Sequence, residues 1–558
     1  MLDLLCIDVV YYLFKFLDYQ SAIYLMSVNK FFSCFKKNIK LDKMVDYELS
    51  KKTSYRFKYI KYIADSEYIP NGITHLEFIN NFRLILHGCI PSSVQSIKFN
   101  RHYNRCLQGA IPNSVKEIIF GLDFNRSVRN TFPIGIKKII FDFCFDQSLI
   151  DCIPHGVKYL KVNVLNHPII NTIPSTVKHL IMIFRNNIPQ IYSLPQSIKH
   201  LELLGHFNQP IKNIIPSSVK YLRFDHHFNQ SITNCIPEGV QYLYFGYNFN
   251  QQIADGIPST IIDLYFDYNF NQPIIGYLSN NIKRLYFGKK FNQEIIGGLP
   301  LNLEHLEFGG EFNKPINGGI PNKVKYLKFG QKFNQPIVNS IPINVETLIF
   351  GQDFNQSIEN YLPAGLKYLE FGYEFDKPIK TIPSTVTKLL FENYICYELS
   401  DLPLSITELS IHTYYPKFQK IPSSVTHLTI YDSIEYSVEN PEKNLLPENI
   451  THLTFGYSFN QSIKGLIPKT LKYLKFGYNY NKRLEDYLPN GLTHLILGWY
   501  FNKYIHFIDS EHKIKLSIPD SVIYLEVGAR FGIKYNDNGL NIQDFIPESA
   551  KPINHTKY

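Results

Sequence analysis

The chain has 558 residues, 45% of them hydrophobic and 15% aromatic, ample for a continuous buried core. Its formal net charge of +9 is small for that length, and Lys and Arg are interleaved with Asp and Glu, so the basic stripe that nucleic-acid binding needs is missing. Eight cysteines without a CxxC pair read as free thiols of a reducing compartment, and no run reaches the ~18 uncharged apolar residues of a membrane span.

The first 17 residues carry Asp3 and Asp8, with no basic start and no small-residue cleavage site. They are not read as a secretory signal, and the protein is expected to be soluble, intracellular and cytoplasmic. Across residues 1–45, Leu4, Leu5, Val9, Leu13, Phe16, Leu17, Ala22, Leu25 and Val28 are spaced for two or three short amphipathic helices broken near Asp18. Leu17-Asp18-Tyr19 followed by Leu25-x-x-Val28-Asn29-Lys30-Phe31-Phe32 resembles an F-box, with Leu5-Cys6 standing where that family has Leu-Pro. The resemblance implies that Leu5, Leu13, Leu17, Leu25 and Val28 contact an Skp-type adaptor of a cullin–RING ubiquitin ligase. The same helices also suit a cap over the exposed apolar end of a repeat array, and both roles can coexist. Residues 46–67 read as a connecting segment, with Lys51, Lys52, Arg56, Lys58 and Lys61 on the solvated face of a connecting helix.

From residue 68 to 547 the chain repeats. Prolines recur at Pro70, Pro91, Pro112 and Pro133, and on to Pro321, Pro342 and Pro363, at 21-residue steps with one of 20 and with Ser279 in one proline's place. The spacing loosens at Pro383, Pro403 and Pro422, returns at Pro447, Pro468 and Pro489, and widens towards Pro519 and Pro547. A short fixed period specifies a solenoid, because one such unit cannot bury its own core and must stack on its neighbours. Each unit reads like Pro216-Ser217-Ser218-Val219-Lys220-Tyr221-Leu222-Arg223-Phe224, a proline-led entry into a short strand with one buried face. The expected fold is a leucine-rich-repeat-like solenoid with one short parallel strand per ~21-residue coil, about 22 coils in all, ending in a tail at 548–558.

A glycine often follows the strand, at Gly121, Gly246, Gly288, Gly309, Gly330, Gly351, Gly372, Gly456, Gly477 and Gly498, where a positive-φ turn is expected. A Phe-Asn pair comes next, as in Phe228-Asn229, Phe249-Asn250 and Phe270-Asn271. Stacked coils should turn the phenylalanines into a buried spine and the asparagines into a ladder that satisfies backbone groups. An asparagine present on every coil is a structural requirement rather than a ligand site.

The sequence holds no GxxxxGK[ST], GxSxG, HExxH or GxGxxG, so no catalytic group or cofactor site is assigned and the chain is not read as an enzyme. His226-His227 is the densest histidine pair, and adjacent residues on an extended chain point apart. The position before the strand Leu is mostly His or Tyr, which places His179 beside His200 and His427 beside His452. Tyr221, Arg223, Tyr242, Tyr244, Tyr265, Arg284 and Tyr286, with Asp263 among them, form the candidate partner-binding strand face; tyrosine offers large, partly polar contact area. The other reading is a solubilising sheet face held by aromatic cross-strand pairs.

The Phe-Asn-Gln-x-Ile run, as Phe228-Asn229-Gln230-Ser231-Ile232 leading to Ile236-Pro237, resembles the FNIP repeat, a leucine-rich-repeat relative found largely in slime moulds and giant DNA viruses. Leu165-Asn166-His167, Asn186-Asn187-Ile188 and the coils after Pro383, Pro403 and Pro422 depart from the pattern, and longer insertions fall at Ser433–Leu445 and Lys503–Ile518. The resemblances together imply the substrate-recognition subunit of a ubiquitin ligase, in host cytoplasm if the chain is viral, with an unknown protein target on the solenoid. The alternative is a scaffold or host-interaction repeat protein with no ligase contact.

Overall fold

In the coil that starts at Pro216, the Val219 N–H donates to the Pro216 carbonyl (3.1 Å), so the proline opens a tight turn that feeds the strand. Ser279 opens the same turn, with Ile282 donating to its carbonyl at 3.2 Å, which shows why the period survives without a proline there. The strand Tyr221–Phe224 alternates half-buried, buried, exposed and buried residues, because period-two geometry sends Leu222 and Phe224 inward and Tyr221 and Arg223 outward. Neighbouring coils pair parallel and in register, Tyr221 with Tyr242 and Leu222 with Leu243.

The computed structural model of this chain describes residues 14, 17, 19–28, 30–37, 39–164, 172–185, 194–394, 399–412, 421–431, 446–508, 511–531 and 545–554. The chain divides into two units, Met1–Ile261 and Ile262–Tyr558. In the first, a parallel ladder runs in chain order from Lys40–Asp46 and Arg56–Ala64 to Tyr221–Phe224 and Tyr242–Phe245. In the second it runs from Asp263–Phe266 to Tyr524–Val527 and ends on Lys551–Asn554.

In the regular coils two stacked rings fill the core. Phe224 and Phe228 lie 4.0 Å apart within a coil, and Phe228 lies 6.0 Å from Phe249 of the next. The series continues through Phe312, Phe333, Phe354 and Phe375 at 6.0–6.1 Å, so the expected spine is present. The asparagine ladder is present too: the Asn292 N–H donates to Asn271 Oδ1 (2.9 Å) and the Asn313 N–H to Asn292 Oδ1 (3.0 Å). Gln293 Nε2 donates to the same Asn271 Oδ1 at 2.9 Å, which gives the glutamine of the repeat its role.

The glycines after the strands need a different explanation from the expected one. None of the ten has a positive φ; instead, a Cβ on any of them would fall 1.8–2.3 Å from backbone atoms of the preceding coil. Close approach of backbones, not turn handedness, excludes a side chain there. The positive-φ residue lies two places after the repeat isoleucine and is Asn234, Asp255, Gly276, Gly297, Gly318, Asn339 or Asn360, with φ between 51° and 82°. Those are the residue types that tolerate the left-handed region.

The ladder also begins before the repeat does. Lys40–Asp46 and Arg56–Ala64 are parallel strands joined by the helix Tyr47–Lys52. Only Lys51 and Lys52 of the basic stretch are therefore on a helix; Arg56, Lys58 and Lys61 are on a strand, with Lys58 3.2 Å from Asp42 and Lys61 3.0 Å from Glu77. The helices Tyr19–Val28 and Lys30–Ser33 precede this pair of strands. Ala22, Met26, Phe32 and Phe35 share one core with Leu41, Val45 and Phe57. At the other end, the tail supplies a last strand, with Pro552 opposite Leu525. Part of the second insertion forms an antiparallel hairpin, His506–Ile508 with Ile514–Leu516; Ser433–Leu445 lies outside the described residues.

Candidate partner-binding face

Leu and Phe of each strand are committed to the core, so the two intervening positions of each coil form the exposed sheet face. In the first unit, Tyr221 stacks on His200 at 4.0 Å with ring planes 4° apart, and lies 5.0 Å from Tyr244 and 6.5 Å from Tyr242. Arg223 is 3.7 Å from a Glu202 oxygen, while His200 Nε2 bonds the other oxygen at 2.8 Å. The hydrogen bond from His200 holds the Glu202 carboxyl below its usual range, and burial pushes the Tyr221 hydroxyl up.

In the second unit, Arg284 pairs with Asp263 at 2.5 Å across neighbouring strands, and Asp263 is only 6% exposed. Tyr265 and Tyr286 are 5.6 Å apart, and Tyr286 is 4.8 Å from His305. His305 stacks on Tyr326 at 4.1 Å and bonds Glu307 at 2.8 Å. Burial pushes the Tyr326 hydroxyl up to about 12. The predicted residues thus gather as two sets, one in each unit. Within each, Arg223 and Arg284 are matched by acids of the same face, beside part-exposed aromatic rings.

The histidines fall into two chemical kinds. His200 and His305 use Nε2 on a carboxylate two residues on. His427, His452 and His494 instead bond the hydroxyl of the threonine before them through Nδ1, each at 2.9 Å. Thr493 Oγ1 donates to the Lys472 carbonyl at 2.9 Å, which leaves its lone pairs to accept from His494 Nδ1. His427 and His452 stack at 4.0 Å. Burial, with the neighbouring His427 and His494, lowers the His452 pKa. His226 and His227 point apart as expected: His226 bonds Asp225 and His227 stacks on His206 at 4.2 Å. Among the described residues, no group of three His, Cys, Asp or Glu is placed to hold a metal ion, and no helix is long and apolar enough to cross a membrane.

Of the N-terminal candidates, Leu17 and Leu25 are partly buried against the core shared by the helices and the first two strands. Val28 closes the helix Tyr19–Val28, and Leu5 and Leu13 lie outside the described residues. One concave site escaped the sequence reading: a pocket of about 420 Å³ lined by Gln352, Tyr373, Leu390, Glu392, His412 and Tyr431. Its signal was available in the sequence, since the glycine that follows the strand in neighbouring coils is replaced there in three successive coils.

Comparison with known proteins gives a family and a fold. The model of the FNIP repeat matches residues 81–123, 124–163, 145–184, 186–226, 228–269, 270–311, 312–353, 354–394, 441–479 and 480–529. A protein of Acanthamoeba polyphaga mimivirus, named for an F-box and FNIP repeats, is 32% identical over 88 residues, 14% of this chain. The chain spans only 30% of that relative's length. The crystal structure of CroV588, described as a novel circular LRR protein, is similar at 30% identity with a TM-score of 0.66, over 89% of this chain and 79% of that one.

Proposed function

We propose, from the premise that this chain belongs to the FNIP repeat family, that its protein-interaction solenoid selects a protein target for a cullin–RING ubiquitin ligase. The F-box-like helices would dock an Skp-type adaptor, and the outward Tyr/His face would hold the target. The protein would then act in the cytoplasm, the host's if the chain is viral, by bringing target and ligase together without bond chemistry of its own. The observation that carries the interaction reading is the face itself. Its charges are already paired within the sheet, as Arg223 with Glu202 and Arg284 with Asp263, so aromatic area is what it offers a partner. Support for the ligase half comes from the helical segment and from the relative whose name couples an F-box with FNIP repeats.

A second reading, a scaffold whose helices only cap the array, is favoured by the packing of Leu17 and Leu25 into the core shared with the first strands. Purification of the full chain from cells that supply an Skp-type adaptor separates the two. The ligase reading expects the adaptor to co-purify and to be lost in Leu17→Asp. Because Leu17 packs inside the cap, melting of that variant is measured alongside. Tyr24→Asp, at a side chain 68% exposed on the same helix, removes apolar surface without disturbing the cap. A wild-type protein that recovers no adaptor under mild conditions leaves the scaffold reading standing.

A further inference from the structure

The second unit departs from the repeat at one place where a side chain sits in a glycine's position. Glu392 follows Phe391, His412 follows Ile411 and Tyr431 follows Ile430, where the flanking coils have Gly351, Gly372 and Gly456. A Cβ at those glycines would fall 2.0–2.1 Å from the preceding coil's backbone, so the tight exit turn cannot accept a side chain. The strands run on instead: Lys388–Tyr394 has seven residues and Glu408–His412 five, against three or four in the regular coils. These strands border a pocket lined by Gln352, Tyr373, Leu390, Glu392, His412 and Tyr431.

Its chemistry is one carboxylate among aromatic rings over an aliphatic floor. His412 and Tyr431 stack at 4.5 Å with planes 19° apart and form one wall. Leu390 alternates outward between the buried Leu389 and Phe391. Glu392 has no ion-pair partner among the described residues. Lys388 of its own strand is bound to Glu408 at 3.2 Å, and Glu370 on the adjacent strand accepts a bond from the Tyr368 hydroxyl. Partial burial and the charge of Glu370 raise the Glu392 pKa, with His412 and Lys328 opposing.

We infer that this pocket receives the cationic side chain, lysine or arginine, of a protein partner, with Glu392 as the counter-ion and Tyr373 and Tyr431 as aromatic walls. This rests on the protein-interaction reading of the solenoid but not on ligase contact. An aromatic ring face attracts an organic cation and not an anion. The methylene stem of lysine or arginine matches the Leu390 floor while its head reaches the carboxylate. Glu370 and Glu392 together disfavour an anionic ligand, and one carboxylate with one imidazole is too few for a metal site.

Saturation-transfer NMR on the full chain tests this with Nα-acetyl-lysine methylamide and its arginine counterpart. The neutral norleucine and Nε-acetyl-lysine counterparts serve as controls. The cationic amides should bind, and the neutral ones should bind at least about tenfold more weakly. Glu392→Gln should weaken the cations by about tenfold with unchanged melting, and Tyr431→Leu should weaken them less. Glu346→Gln, on an exposed pair with Lys367 away from the pocket, should change nothing. Cation affinity should rise with pH as Glu392 ionises. Equal binding of norleucine amide, or cation binding untouched by Glu392→Gln, overturns the assignment. Capture of a partner that is lost when Tyr244, Tyr265 and Tyr286 are changed would, in that event, still uphold the protein-interaction reading.

Discussion

At the scale of single residues, two glycines of neighbouring coils illustrate different constraints. Gly309 has an ordinary φ, yet a Cβ there would stand 1.8 Å from the Gly288 carbonyl oxygen. Gly297 has φ +74° and open space around the same point. Gly309→Ala must push two coils apart and should cost about 3 kcal/mol or more, at the upper end of overpacking costs. Gly297→Ala incurs only the left-handed backbone penalty of about 1–2 kcal/mol. Urea unfolding of the two variants ranks them, and equal losses would refute the close-approach account. The glycines were plain in the sequence, but their reason was not, because steric exclusion by a neighbouring coil depends on how coils stack. The αL position two residues after the isoleucine was legible in principle, since Asn234, Asp255 and Gly276 share the tolerance that position demands.

At the scale of the strand, the outward column couples the fold to protons. Burial lowers the pKa of His75, His179 and His452 from an ordinary 6.5. A histidine held neutral in the folded state binds fewer protons than the same histidine unfolded. Stability is therefore lost as pH falls through 6.5 and levels off below the depressed folded value. Glu202 and Glu307 are lowered from 4.5 by the bonds from His200 and His305. Their contribution is present above that value and is lost as pH falls through the folded one. Acid should thus weaken the array in two stages. His452→Tyr, which installs the ring that Tyr473 already presents in the next strand, should shrink the first stage and leave stability at pH 7.5 nearly unchanged. Urea midpoints at pH 7.5 and 5.5 measure it, and an identical fall in both proteins would count against the buried histidine as its source. The sequence placed these rings in one column; which nitrogen carries the proton depended on Thr426, Thr451 and Thr493, whose role appears only when the hydroxyls are in place.

At the scale of the whole molecule, the face divides labour between rings and charges. Arg223, Arg284, Lys388 and Lys328 all meet an acid on a neighbouring strand. A partner held on this face should therefore be held by aromatic area. Changing Tyr244, Tyr265 and Tyr286 together to Ser should abolish its capture, with melting largely retained because those side chains point away from the core. A partner captured as well by the triple variant as by the wild type would exclude these three tyrosines as its binding residues. The two ends of the chain show where the repeat stops being informative. Lys40–Asp46 joins the ladder with no repeat signature, because its buried Leu41 and Val45 are completed by helices rather than by another coil. Lys551–Asn554 joins it from what reads as a tail.

The sequence by itself determined the coil, its length, its single parallel strand, its Phe spine and its Asn ladder, because a repeated unit states the same local requirement on every turn. It also determined which strand positions face outward, since alternation follows from strand geometry alone. Tertiary structure decided what depends on two coils at once: the backbone contact that forces glycine, the pairing of Arg223 and Arg284 with acids one strand away, and the docking of the helices on the first strands. It also decided that Glu392, His412 and Tyr431, scattered across 40 residues of chain, line one pocket. The contacts along the array join residues one or two coils apart in sequence, and only stacking brings them side by side in space.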